Sequence, residues 1–152
     1  MREEIYQYLR NYGFTKEEVK ALKKNEDIYY AIMINITENI EFLEDLWLTK
    51  EEVISIINTN PFLVTCTKKR KEAFNKIYIN NLGITKEEIK NMLFKNPYIY
   101  NLSPITVDIL INDLLKTYSK EELKQEIINN PKLLNGKDLG WLICIMNIYW
   151  MN

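Results

Sequence analysis

Thr49-Lys50-Glu51-Glu52-Val53, then Ile56-Ile57, then Asn60-Pro61: this phrase recurs along the chain and decides how the rest is read. It returns as Thr85-Lys86-Glu87-Glu88-Ile89 with Met92, Leu93 and Asn96-Pro97, and as Ser119-Lys120-Glu121-Glu122-Leu123 with Ile127 and Asn130-Pro131. A weaker copy runs from Thr15 to Asp27. Successive copies start 34, 36 and 34 residues apart, at 15, 49, 85 and 119, and self-similarity at such a period indicates stacked supersecondary units. The spacing therefore predicts a helical repeat protein.

Each part of the phrase has a mechanical reason. Thr or Ser followed three residues later by Glu is a capping box, which satisfies two orphan N–H groups at a helix start. Phe14, Leu48, Ile84 and Tyr118 precede the caps, and Val19, Val53, Ile89 and Leu123 follow them by four. Such pairs form a hydrophobic staple that fixes the angle of entry. The two glutamates of the first turn favour the positive end of the helix dipole, so Lys-Glu-Glu reads as a solvated helix start rather than a catalytic carboxylate pair. Asn-Pro then ends the helix, because proline disfavours helical geometry in the residue before it.

The chain of 152 residues is long enough for a substantial shared core and reads as one domain. Glycine and proline are scarce, four of each, which suits helices better than a turn-rich sheet. There is no histidine, and Cys66 and Cys144 belong to no metal-binding spacing, which removes most zinc sites and every His-based triad. The two cysteines read as buried thiols rather than a disulfide. No nucleophile, phosphate loop or metal constellation stands out, so no enzyme and no cofactor are expected. Met1-Arg2-Glu3-Glu4 resembles neither a transit peptide nor a secretory leader, which favours a cytoplasmic location.

Outward from the phrases, repeats are expected around residues 2–30, 31–65, 66–102 and 103–135. A first helix from Arg2 to Tyr12 carries Ile5, Tyr8, Leu9 and Tyr12 on one stripe and ends at Gly13. Residues 28–47 read as largely helical with a break near Ile36-Thr37, and Ile40, Leu43, Leu46 and Trp47 keep helical period. Trp47 stands where two other copies have Gly13 and Gly83, so a local difference is expected in that turn. The triplets Phe62-Leu63-Val64, Tyr98-Ile99-Tyr100 and Lys132-Leu133-Leu134 read as apolar plugs between helices, and Tyr98 and Tyr100 as core rather than base-stacking residues. Thr65 or Thr67 should cap a helix from Lys68 to Leu82, and Ser103-Pro104 should open one carrying Ile109, Leu110 and Leu114 inward. A last helix over 138–151 would leave a half repeat.

Leu82 to Ile89 with Asn96 to Tyr100, and Leu46 to Val53 with Asn60 to Val64, resemble the repeats of the mitochondrial transcription termination factor (mTERF) family. The tetratricopeptide unit of the same period needs a Trp-Leu-Gly-Tyr pattern that is absent. The resemblance implies a right-handed α-solenoid of about four helix pairs, each followed by a short 3₁₀ turn, that binds nucleic acid along a basic groove.

Charge is unevenly distributed. Residues 1–60 hold seven cations against twelve anions, and residues 61–100 hold eight against three. The basic stretch centres on Lys68-Lys69-Arg70-Lys71, helped by Lys76 and Lys95. Cations in the first turn of a helix oppose its dipole, each at a cost of up to ~1 kcal/mol. Helix stability alone would not place them there. Lys68, Lys69, Arg70, Lys71, Lys76 and Lys95 are therefore candidate phosphate contacts of a nucleic-acid binder that regulates transcription or a mobile element. The alternative is a protein-binding adaptor or inhibitor. The apolar run from Leu139 to Met151 is too short to cross a bilayer and suggests a protein partner or second copy at Trp141, Ile145, Ile148 and Trp150.

Overall fold

The computed structural model describes residues 1–134, apart from the side chains of Asp27 and Tyr29. The segment expected as the last helix, with Cys144, Trp141, Ile145, Ile148 and Trp150, lies outside the described residues. The described chain is all-α, with no strand among these residues. It divides into two compact units, Met1–Lys71 and Glu72–Asn152.

The first unit opens with α1 (Glu3–Tyr12), α2 (Lys16–Lys23) and the short α3 (Glu26–Tyr29), followed by α4 (Met33–Asp45), α5 (Lys50–Thr59) and a 3₁₀ turn, Pro61–Val64. Thr15 and Thr49 cap α2 and α5 by accepting from the N–H groups of Glu18 and Glu52. At Thr49 the box is complete, since the Glu52 carboxylate accepts from the Thr49 N–H at 3.0 Å. In the first copy the Glu18 carboxylate accepts instead from Nδ2 of Asn58 on α5. The 3₁₀ turn packs against α3, α4 and α5 and buries Leu63 and Val64, so it acts as the plug its apolar triplet suggested. The break expected at Ile36-Thr37 falls earlier, over residues 30–32. Thr37 lies within α4, its Oγ1 donating to the Ile34 carbonyl at 3.0 Å.

Trp47 departs from its expected inward place. Gly13 and Gly83 hold φ of 132° and 71°, and Trp47 adopts 66°, so the positive-φ turn is kept with a residue poorly suited to it. That conformation carries the indole off the stripe of Ile40, Leu43 and Leu46 and leaves it 65% exposed.

The helix α6 (Lys68–Asn75) begins in the first unit and ends in the second. It continues as a π-helical segment, Lys76–Asn81, rather than as the single α-helix expected to Leu82. In the second unit follow α7 (Lys86–Lys95), α8 (Pro104–Leu114), α9 (Lys120–Asn129) and a 3₁₀ turn, Pro131–Leu134. Thr85 and Ser119 both form complete capping boxes, and Ser103 caps α8 with Pro104 at its first position. Phe74, Tyr78 and Tyr100 meet edge-to-face or stacked, with ring centroids 5.5 to 5.8 Å apart. The Tyr78 hydroxyl donates to the Ile99 carbonyl, and burial pushes its pKa well up. Tyr100 is thus core, whereas Tyr98 is exposed.

Side chains one period apart tie α7 to α9. Glu88 pairs with Lys124 at 3.3 Å. The Asn96 Nδ2 donates to the Pro131 carbonyl at 2.9 Å, while its Oδ1 accepts from the Tyr98 N–H at 3.1 Å. The asparagine of Asn-Pro thus shapes its own turn and grips the next one. Two expectations fail here. Ile109 is 59% exposed, because Val107, Leu110 and Ile111 form the buried stripe of α8. Tyr118 is 47% exposed, so the fourth copy lacks the staple that Phe14, Leu48 and Ile84 supply by being buried. Thr117, at the position matching Gly13, Trp47 and Gly83, does not take positive φ, and the chain enters α9 differently.

Candidate nucleic-acid interface

The connector from Val64 to Thr67 sets where α6 begins. Asn39, buried on α4, places its Nδ2 within 3.0 Å of the Val64 carbonyl and 2.9 Å of the Cys66 carbonyl. This amide supplies a donor to carbonyls at the end of the 3₁₀ turn and in the connector that follows it. Thr67, rather than Thr65, then caps α6, its Oγ1 accepting from the Arg70 N–H at 3.2 Å. Thr65 turns back instead and donates to the Phe62 carbonyl.

The first turn so positioned separates its four cations. Lys68 and Lys69 are exposed, and Arg70 is half-buried with its guanidinium 5.4 Å from the centre of the Phe62 ring. Lys71 is only 8% exposed, and its Nζ lies 5.2 Å over the Phe42 ring. Consecutive helical residues point about 100° apart, which follows from 3.6 residues per turn, so a run of four cannot share one face. Three of the four cations reach the surface or its edge, and the fourth lies inward. Beside them, burial pushes the Cys66 thiol pKa up while the charges of Lys71 and Arg70 pull it down. The thiol is free.

The helices α4 and α8, which stand at the same place in their repeats, also lack acidic residues in the first turn, but of the three only α6 puts cations there. The contrast with the phrase helices is larger. The phrase helices α2, α5, α7 and α9 carry two glutamates in the first turn, and α6 carries no acidic residue there. The dipole and the side chains of α6 therefore add to one positive field instead of cancelling.

Lys76 and Lys95 belong to the second unit. Lys76 lines an open groove of about 390 Å³ between the π-helical segment and α8, together with Ile77, Asn81, Ile105 and Asp108. Asp108 accepts from Asn81 at 3.4 Å, so the groove carries an anion as well as the lysine. Lys95 is exposed at the end of α7, and its Nζ donates to the Ile128 carbonyl at 3.4 Å.

Of the residues that shape the site, Asn39 and Phe42 were not singled out in the sequence, and Phe62 was read only as part of an apolar plug. Asn39 had a signal, because a polar residue interrupts the stripe Ile36, Ile40, Leu43 at an inward position. The aromatic partners of Arg70 and Lys71 had none, since they lie 8 and 29 residues away and meet the cations only through folding.

Among the described residues no cluster of His, Cys, Asp or Glu could hold a metal ion, and no helix is long and apolar enough to cross a membrane. Capped helices at a fixed period, joined by proline-led turns and tied by side chains one period apart, define a helical-repeat protein of the α-solenoid class. The chain belongs to the mTERF family, whose family model matches residues 1–137. No curated protein matches the chain.

Proposed function

We propose that this chain is a non-catalytic nucleic-acid-binding protein of transcriptional or mobile-element control, with the start of α6 as its backbone contact. The observation that carries this reading is the reversed charge of that turn. Lys68, Lys69 and Arg70 stand at the positive end of a helix dipole where the sister phrase helices place glutamates. Like charge concentrated at a helix start is unfavourable to the isolated helix and favourable to a phosphate. Contacts of this kind position a protein on a strand or duplex without reading its bases. Lys76 and Lys95 are proposed as separate contacts of the second unit. Lys71 is assigned an internal role, holding its charge against Phe42. The apolar segment with Trp141, Ile145, Ile148 and Trp150 is proposed as the contact for a protein partner or second copy.

The test is fluorescence anisotropy of the full chain with labelled duplex DNA, single-stranded DNA and single-stranded RNA at low salt. Binding is expected, with Lys68→Gln, Lys69→Gln and Arg70→Gln together weakening every sequence alike. Absence of binding by the native chain to all three probes would hand the case to the protein-adaptor reading.

A further inference from the structure

Trp47 is a large aromatic residue that the fold does little to bury. It is 65% exposed and holds φ of 66° at a position where two sister copies have glycine. Its N–H donates to the Glu44 carbonyl at 2.9 Å, which fixes it directly beyond the last turn of α4. Exposed Glu41, Glu44 and Asp45 precede it in the last turns of α4, and exposed Glu51 follows it in the first turn of α5.

Both arms of the turn converge on α1. Tyr8 and Tyr12 stack there with centroids 6.5 Å apart. Burial raises the pKa of Tyr8, and the carboxylates of Glu44 and Glu41 raise it further. Burial likewise pushes Tyr12 up to about 12, with Glu44, Tyr8 and Glu51 adding to the effect. Glu41, Glu44 and Glu51 thus act on the tyrosine pair through their charge. The patch already receives one cation from its own chain, since the Lys50 Nζ lies 5.2 Å over the Tyr12 ring.

Aromatic faces ringed by carboxylates attract ammonium and guanidinium groups and repel phosphate. The charge of the turn and its flanks agrees, with five anions against one cation over residues 41–52. We propose that this edge of the first unit, centred on Trp47, docks an Arg/Lys-rich segment of a protein partner. It is opposite in charge to the start of α6 and does not depend on the nucleic-acid reading. Arginine stacks on the indole, and Glu44 and Asp45 take its hydrogen bonds. Lys50 competes from within for the Tyr12 face.

The probe is a fluorescein-labelled oligo-arginine peptide, titrated with the full chain at low salt and followed by anisotropy. Saturable one-to-one binding is expected. Trp47→Gly removes the ring while retaining a residue suited to positive φ, and it should weaken binding about two- to fivefold, the range of a partly exposed cation–π contact. Glu44→Gln with Asp45→Asn leaves the backbone untouched and should weaken binding at least as much. Lys50→Gln should strengthen it. Glu3→Gln with Glu4→Gln removes the same charge from the far end of α1 and should change little. The proposal is overturned if the native chain does not bind the peptide. It is equally overturned if Trp47→Gly leaves affinity unchanged, or if the Glu3/Glu4 pair costs as much as the Glu44/Asp45 pair.

Discussion

The three positive-φ turns invite a substitution series whose outcome can be worked out beforehand. Gly83 has φ of 71°, and a Cβ placed there would meet the Cε and Nζ of Lys120 at 3.5 and 3.7 Å, ordinary contacts with a flexible side chain. Gly83→Ala therefore tests backbone conformation with almost no steric confusion. A left-handed residue with a Cβ costs about 1–2 kcal/mol, and replacing glycine recovers about 0.5–1 kcal/mol from the unfolded chain. The net expectation is a loss of about 1 kcal/mol. Gly13→Ala should cost more, because φ is 132° and the new Cβ would lie 3.2 Å from the Ile54 Cδ1. Trp47 supplies the reverse experiment. Trp47→Ala and Trp47→Gly delete the same ring and the same packing, so their difference isolates the backbone. Trp47→Gly should be the more stable of the two by about 1 kcal/mol. Urea unfolding followed by far-ultraviolet circular dichroism, at constant m-value, reads all four variants. If Gly83→Ala is neutral and Trp47→Gly is no better than Trp47→Ala, left-handed geometry does not select the residue at these turns.

What was legible in the sequence was local. Thr15, Thr49, Thr85 and Ser119 cap helices because a hydroxyl and a glutamate three residues on interact within one turn, and no distant contact is needed to see it. The proline-led turns at Pro61 and Pro131 follow from the same short range. The family resemblance rested on these phrases, and so the repeat class was readable. What escaped depends on partners far along the chain. Nothing near Lys71 announces that Phe42 will take its ammonium. Ile109 fits an apolar helical pattern as well as Ile111 does, and only the packing of α8 chooses between them. The π-helical segment after α6 has no simple local code, and Tyr78 reaches the Ile99 carbonyl only once the next turn is in place. Trp47 shows the limit most clearly: it keeps the positive φ of the glycines at Gly13 and Gly83 although it is an aromatic residue, whereas Thr117 at the same place does not.

Three further measurements bear on these assignments. Asn96→Ala would leave a buried N–H and carbonyl unpaired and should cost about 2–3 kcal/mol, whereas exposed Asn130→Ala should stay within about 0.5 kcal/mol. Equal losses in urea unfolding would refute the inter-repeat role. Glu88 is pulled up by burial, but hydrogen bonds with Thr85 and Lys124 and the latter's charge outweigh that and leave its pKa below the ordinary value. A carboxylate depressed in the folded state adds stability above its unfolded pKa and loses it as pH falls through the folded one. Thermal melts between about pH 5 and pH 3 should accordingly fall less steeply for Glu88→Gln than for the native chain. For nucleic-acid binding, the start of α6 fixes a salt dependence. With Lys68, Lys69 and Arg70 each neutralising one phosphate, log affinity for duplex should fall against log salt with slope about −2.7. Raising salt fourfold then weakens binding by about 40-fold. Lys69→Gln should flatten the slope by about 0.9 and leave stability unchanged or slightly raised, because the residue is exposed and its charge opposes the helix dipole. Lys71→Gln should do the opposite, lowering stability while hardly moving the slope, since its ammonium faces the Phe42 ring. The difference between neighbouring lysines separates a positioned phosphate contact from general attraction to a basic stretch. If Lys71→Gln flattens the slope as much as Lys69→Gln, the cations act through summed charge alone and the geometry of this turn plays no part.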